Sequence, residues 1–243
     1  NNADYQLPNG KFVENSRYKS QGAKVGVGIS KKNWVAHVRY IYSDNRAGIP
    51  GESEDSIVNS ANFQVDNQDR NEIIPNLFTQ NHIVSMENKF FFGKNELYVL
   101  VGNTLNELSE YEEEITVPAM QMKLSNSLYN VRFKAHLNES WMLISGIQGM
   151  VQFNRNNLLA EEQLIPNFDQ YDNGLYSIAY FKRKKTNIQF GLRYDIRTLD
   201  VNEYQFKKDY GSPNFSIGAT HSGDHNTWRL NVSTGYRAPH LSE

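Results

Sequence analysis

The stretch Thr227–Glu243, TWRLNVSTGYRAPHLSE, decides the fold. Its first half alternates without a fault. Trp228, Leu230, Val232, Thr234 and Tyr236 fall on one side, and Thr227, Arg229, Asn231, Ser233, Gly235 and Arg237 on the other. Such a period of two describes a strand with one apolar and one polar face. The expected strand runs from Trp228 past Tyr236 and stops at Pro239, which has no N–H to give to a sheet ladder. Two environments fit it: a soluble sandwich with its core on one side, or a barrel with lipid outside and water inside.

Composition narrows the choice. A chain of 243 residues can form one large all-β unit or two small domains. Its formal charge of -2 and pI of 6.4 lack the basic footprint of a nucleic-acid binder, so no nucleic-acid partner is expected. The absence of cysteine excludes a disulfide scaffold and a thiolate metal site, and no cofactor is expected. A mean hydropathy of -0.64, with no apolar run near ~18 residues, excludes a membrane-spanning helix. It leaves a membrane barrel open, because every second residue of a barrel strand can be polar. No signal peptide is visible at Asn1, so the expectation is the start of a mature chain or of a fragment.

Read from the beginning, residues 1–20 are polar, with turn signals at Pro8 and Asn9-Gly10. A first strand over Ala23–Ser30 turns at Lys31-Lys32-Asn33, and Trp34 opens the second. A long polar loop from Asn45 to about Gln80 follows, a length that is usually functional in a compact domain. The same phrase then repeats. Strands flank tight turns at Gly93-Lys94-Asn95, Asn138-Glu139-Ser140, Lys182-Arg183-Lys184-Lys185 and Gly223-Asp224-His225-Asn226. Between these hairpins lie loops at Ser109–Pro118, Asn154–Asp172 and Leu199–Pro213. About ten strands result.

Two regularities choose the environment. Tight turns and long loops alternate, so each kind collects at one end of the sheet. All seven prolines are expected at the loop end or in the N-terminal segment leading into it, and each of the three tryptophans, Trp34, Trp141 and Trp228, opens a strand directly after a tight turn. A soluble meander has no reason to hold every Trp at one height. A membrane barrel has, because indole sits at the lipid headgroup level. Tyr40, Tyr42, Phe153 and Tyr236 are the expected second girdle. The eight steps from Trp228 to Tyr236 climb roughly 20 Å, near the ~25 Å apolar band of outer-membrane barrels. The faces opposite the Trp line carry His37, Arg39, Gln148, Gln189, Arg193, Arg229 and Asn231, which suit a wet lumen. Between Leu124 and Tyr129 the alternation slips, which points to a bulge or to a strand rising above the membrane.

With the barrel argued, Tyr236-Arg237-Ala238-Pro239-His240-Leu241-Ser242-Glu243 resembles the aromatic-Arg-Ala-Pro-x-Leu-x-Glu box of TonB-dependent outer-membrane receptors. The phrase Asn88–Gly93 (NKFFFG) and the strand rhythm are similar to the same family, particularly its Bacteroidetes-type siderophore and haem receptors. The resemblance implies an antiparallel up-and-down transmembrane barrel of roughly 22 strands with a plugged lumen, of which this chain is an internal segment without the plug. It also implies outer-membrane lipid as surroundings and the TonB complex as the energising partner, coupled through the plug. The cargo would be a scarce small molecule, an iron chelate first, as ferric siderophore or haem. A glycan or cobalamin importer, a passive porin and a barrel-type outer-membrane enzyme are the alternatives, and a soluble sandwich the last.

Candidate ligand contacts follow. His240 stands where imidazole could ligate haem iron, and it is equally a polar residue at a loop base. Tyr111, Phe168, Tyr171, Tyr204 and Tyr210 are expected on loops, where they could stack on a catecholate or porphyrin or simply pack the loop. In the box, Tyr236, Arg237, Ala238, Pro239, Leu241 and Glu243 are expected at the extracellular rim, in a structural role before a direct contact. Glu110 and Glu112–Glu114 read as a solvated acidic loop before a cation site. Asp66–Glu72 lacks the glycine of a calcium loop, and the remaining histidines show no metal-ligand spacing. No Ser-His or Asp-His constellation stands out to support an enzyme.

Overall fold

The computed structural model describes residues 2–50 and 63–239. Its strands are β1 (Phe12–Val13), β2 (Tyr18–Lys31), β3 (Trp34–Gly48), β4 (Gln64–Val65), β5 (Asn76–Phe92), β6 (Asn95–Tyr111), β7 (Met120–His136), β8 (Trp141–Asn156), β9 (Phe168–Arg183), β10 (Thr186–Val201), β11 (Phe206–Ser222) and β12 (Thr227–Ser233). Ten of them form one antiparallel sheet in the order β12-β11-β10-β9-β8-β7-β6-β5-β3-β2, so each strand lies beside its neighbour in sequence. The small β1–β4 pair stands apart at the loop end. Among the described residues β2 and β12 do not pair with each other, and the sheet is a segment of barrel wall.

Directly paired residues share a face, so the register carries the apolar stripe of β3 across the whole sheet. Trp34 lies opposite Phe90, which lies opposite Leu97, which lies opposite Phe133. Further along, Trp141 faces Phe181, and Phe181 faces Ile188. Trp34 stacks on Phe90 at 6.2 Å, and Trp141 leans on Phe181 at 4.8 Å. The tryptophan belt therefore holds Phe90, Phe133 and Phe181 as well. Above it on the same face run Val38, Met86 and Val101 at one end of the sheet and Ile147, Leu175, Phe190, Ile217 and Val232 at the other. All are exposed, as lipid-facing residues must be in a protein without its bilayer.

Polar groups on this outward face pair with each other. Asn103 donates to Ser127 Oγ at 2.9 Å, Ser145 and Ser177 share a hydrogen bond of 2.8 Å, and Trp34 Nε1 donates to Asn88 Oδ1 at 3.2 Å. Hydrocarbon supplies no partner, so such groups need one within the protein.

The structure corrects four expectations. First, strands run several residues further at the loop end than alternation shows, because above the apolar band no face has to be hydrophobic. Second, β10 and β11 are joined by only Asn202–Gln205, so the expected Leu199–Pro213 loop is mostly strand. Third, the registers of β7 with both neighbours are continuous, so no bulge marks Leu124–Tyr129. The slip reflects Ser125 and Ser127 at the upper end of the outward face.

The fourth correction concerns the closing strand. Pro213 lies within β11, opposite Tyr194, and not in a loop. Phe215 is the last β11 residue to bond the closing segment, with its N–H on Thr234 Oγ1 and its C=O accepting from Thr234 N–H, each at 2.9 Å. Two residues on, the same register would pair Pro213 with Tyr236, and Pro213 has no N–H to donate. The ladder ends there, β12 stops at Ser233, and Tyr236 leaves the predicted outer girdle. Tyr40, Tyr42 and Phe153 remain on the outward face. His82 accompanies the first two, 2.8 Å from Tyr40 Oη, and Tyr171 meets Phe153 edge-on.

At the loop end the N-terminal segment folds over residues 63–75. Asp4 and Arg17 make two parallel hydrogen bonds of 2.9 and 2.8 Å, with the Asp4 side chain 0 % exposed. Arg17 also reaches Asp69 at 3.1 Å and the Asn71 carbonyl at 2.7 Å. The backbone N–H groups of Asn71 and Arg70 donate to the Asp69 carboxylate and hold its pKa below the ordinary carboxylate value. The stretch Asp66–Glu72 thus serves to fasten this cap.

Candidate functional site

The polar face of the sheet, the side a barrel turns to its lumen, carries a hollow of about 720 Å³. Its floor comes from β9 and β10. On β10, alternation places Arg193, Asp195 and Arg197 on this face in succession. On β9, Asp172, Gly174 and Tyr176 share it, through the pairs Arg197–Asp172, Asp195–Gly174 and Arg193–Tyr176.

The charges are organised as two ion pairs. Arg197 donates to both oxygens of Asp172 at 2.6 and 2.8 Å. Arg193 Nε lies 2.8 and 2.7 Å from the two oxygens of Asp195. With the Gln148 amide oxygen turned toward the guanidinium, it accepts from Arg193 Nη2 at 2.7 Å. The Arg193 guanidinium also lies over the Tyr176 ring at 5.8 Å. Gly174 makes room for this arrangement, since a Cβ there would sit 2.5 Å from both Arg193 Nη2 and Asp195 Oδ1. These colliding atoms are ends of flexible side chains. Gly174→Val is therefore expected to split the Arg193–Asp195 pair while changing stability by less than about 1 kcal/mol, which denaturant unfolding beside a crystal structure of the variant would check.

Beyond β12 the chain turns into this hollow, where Tyr236, Arg237 and Ala238 form part of its wall. Ala238 is buried and Tyr236 exposed. The box was expected at the outer rim. Its first residues instead lie on the lumen side, because the ladder ends at Pro213 and releases them inward. His240, Leu241 and Glu243 lie outside the described residues, and Pro239 is the last residue within them.

The other predicted contacts do not converge. Tyr111 ends β6 on the outward face. Phe168 begins β9 and is 4 % exposed, packed with Leu199 and Val201 in a small apolar cluster on the lumen side. Tyr171 faces outward. Tyr204 is exposed in the turn after β10. Tyr210 also faces the lumen, paired across the ladder with Arg197. The expected lumen residues Gln148, Gln189, Arg193, Arg229 and Asn231 all sit on the polar face, as do His37 and Arg39, and Arg39 reaches Glu87 at 3.4 Å. The sequence reading missed Asp172 and Tyr176. Asp172 falls at the end of the expected Asn154–Asp172 loop, and only its spacing of two from Gly174 and four from Tyr176 marks it as lumenal.

A wall of antiparallel strands paired in sequence order, with an outward apolar face banded by aromatics, tight turns at one end and charges on the other face, is that of a transmembrane β-barrel. Residues 1–243 match the family described as TonB dependent receptor-like, beta-barrel. The chain belongs to that family of TonB-dependent receptor barrels.

Solved structures carry the same fold. An apoprotein form of the FrpB iron transporter from Neisseria meningitidis superposes with a TM-score of 0.70 at 16 % identity, over 98 % of this chain and 40 % of that one. The copper transporter OprC gives 0.68 at 12 % identity, over 98 % and 40 %. The ferric citrate transporter FecA in its unliganded form gives 0.59 at 10 % identity, over 95 % and 39 %. The chain thus spans about two-fifths of the length of these proteins. No curated protein matches it in sequence.

Proposed function

We propose that residues 1–243 form part of the barrel domain of an outer-membrane receptor that imports an iron chelate, a ferric siderophore or haem, with energy from the TonB complex. The observation that carries this reading is the lumenal hollow. It offers two arginines held by carboxylates, lined by Gln148 and Tyr236, with the Tyr176 ring against Arg193. Iron chelates commonly present carboxylate, hydroxamate or catecholate oxygens, which guanidinium groups recognise through paired hydrogen bonds. In this reading the wall catches and orients cargo, and a plug enclosed by the barrel gates its passage. The role is transport, not catalysis. The iron transporters of like fold support iron as cargo, and the copper transporter marks the nearest competing cargo.

The test is uptake of radiolabelled ferric chelates and haem by cells carrying the intact receptor or an Arg197→Ala variant. Removing Arg197 takes away charge-assisted hydrogen bonds worth about 1.5–3 kcal/mol each. The expected result is energy-dependent uptake whose half-saturating concentration rises about tenfold to a hundredfold in the variant, at equal receptor abundance. Uptake that persists without the proton gradient would instead make the protein a passive channel. A glycan or cobalamin taken up in preference to every iron chelate would reassign the cargo.

A further inference from the structure

The tight-turn end of the sheet carries a charge pattern that cargo import does not use. The run Lys182-Arg183-Lys184-Lys185 spans the β9–β10 turn, Lys31 and Lys32 lie at the β2–β3 turn, and Lys94 at the β5–β6 turn, all of them exposed. The acidic groups of the same rim are Glu96, Glu139 and Asp224. Among the described residues only Lys185 of these cations forms an ion pair, with Asp224. The opposite end has the contrary character, with Glu112–Glu114 and Glu161-Glu162 in its loops.

Position ties this charge to the bilayer. Lys31 pairs with Trp34 across the β2–β3 ladder and so shares its outward face, with its ammonium 5.8 Å from the indole centre. Arg183 follows Phe181 by two residues and shares the face that Phe181 forms with Trp141. The cations thus lie directly beyond the aromatic belt, at the depth where indoles meet lipid headgroups. A partner dissolved in water would be met by the turns alone. Cations on the lipid face at belt height meet the phosphates of the leaflet itself, and basic residues at that depth attract anionic lipid.

We infer that this rim binds the headgroups of anionic phospholipids, of the phosphatidylglycerol class, in the leaflet at the tight-turn end. The inference rests on the membrane-spanning reading above. Lys31 and Arg183 contact the phosphodiester from the lipid face, while Lys32, Lys94 and Lys184 add charge from the turns. Retained lipid would fix the vertical position of the barrel, with the basic rim on phosphate and the acidic loops in water.

The intact receptor, placed in nanodiscs of phosphatidylcholine with a minor share of phosphatidylglycerol, provides the test. Native mass spectrometry then reads which lipid stays on the protein. Each basic group near an anionic surface changes partition by about fivefold, so the combined variant Lys31→Gln, Lys32→Gln, Arg183→Gln, Lys184→Gln is expected to lower phosphatidylglycerol enrichment at least tenfold. Arg183→Lys alone should retain it. Raising salt should weaken enrichment in the unaltered receptor, as screening over about 8 Å predicts. Equal enrichment in receptor and combined variant, or none in the unaltered receptor, overturns the inference. So does capture of a soluble polyglutamate peptide without lipid enrichment, which would give the rim to an acidic protein. Failure of the receptor to enter nanodiscs would refute the membrane-spanning reading instead.

Discussion

Leu175→Arg is expected to destabilise the barrel by about 2–4 kcal/mol, whereas Gln189→Arg, one strand position from the belt on the other face, is expected to cost well under 1 kcal/mol. The first figure is that for a guanidinium on the lipid face near the bilayer midplane. Leu175 meets the conditions for it. It is 63 % exposed without lipid, it pairs with Ile147 on one side and Tyr194 on the other, and it lies between Phe181 of the lower belt and Tyr171 of the upper. Arginine there cannot reach either headgroup layer without bending its stem along the apolar surface. Gln189 projects from β10 into the lumen beside Gly218 and Asn231, where a charge stays in water. Denaturant titration of the intact receptor in lipid vesicles measures both costs. If Gln189→Arg proves the costlier change, the two faces of the sheet have been assigned the wrong way round.

This contrast rests on the part of the fold most legible in the sequence. Within the apolar band the physics repeats every second residue, so Trp228-Leu230-Val232 and Ile188-Phe190-Leu192 declare both strand and face. The three tryptophans add height, because indole has a preferred depth in a bilayer. Above the band neither rule operates. Leu199–Pro213 reads as a loop since lysines, aspartates and a proline interrupt any pattern, yet β10 and β11 continue through most of it as a backbone ladder. Pro213 reads as a loop residue for the same reason. Proline does not break a strand whose other side is still paired, and Pro213 stays in the β10 ladder opposite Tyr194 while the β12 ladder stops short of it.

The site was less legible than the wall, for a related cause. Arg193, Asp195 and Arg197 stand out as alternating charges along one strand, but their partners are on β9, and only register joins Asp172 to Arg197. Register across a long meander is set by turn lengths, each visible to within a residue or so. An error of one residue would move Asp172 to the lipid face. The inward turn of Tyr236 is harder still to foresee. It depends on one absent hydrogen bond between residues far apart in sequence, Pro213 and Tyr236. A closing box that looks like strand continuation thereby becomes part of the lumenal wall, beside the charges from β9 and β10. Aromatics chosen as loop residues fared differently, because a strand end offers Phe168 an apolar niche against Leu199 and Val201 that no local pattern announces.

Arg17→Met is expected to open the cap at the loop end while leaving the barrel wall folded. The Asp4 carboxylate would remain buried with its principal counter-charge gone, keeping only weak backbone donors, Ser16 N–H at 3.2 Å and Asp69 N–H at 3.3 Å. Removing one partner of a buried pair costs about 3–5 kcal/mol. That raises the population of the open cap by a factor of about a hundred to a few thousand, since each 1.4 kcal/mol is about tenfold. Hydrogen exchange of the intact receptor reads it as lost protection over residues 2–17 and 63–75, with β5–β10 unchanged. Asp4→Leu combined with Arg17→Met should restore much of that protection, because an apolar pair of similar size carries no desolvation penalty. Acid should imitate the single substitution in part. Asp69 has a lowered pKa in the folded cap, so it contributes stability above its unfolded value and loses it as pH falls through the folded one. Protection of residues 63–75 should therefore fall below about the ordinary carboxylate pKa of 3.8, and Asp69→Asn should flatten that dependence. Exchange lost equally across cap and wall in Arg17→Met would show that the cap is part of the barrel's own cooperative unit and not a separately opening cover.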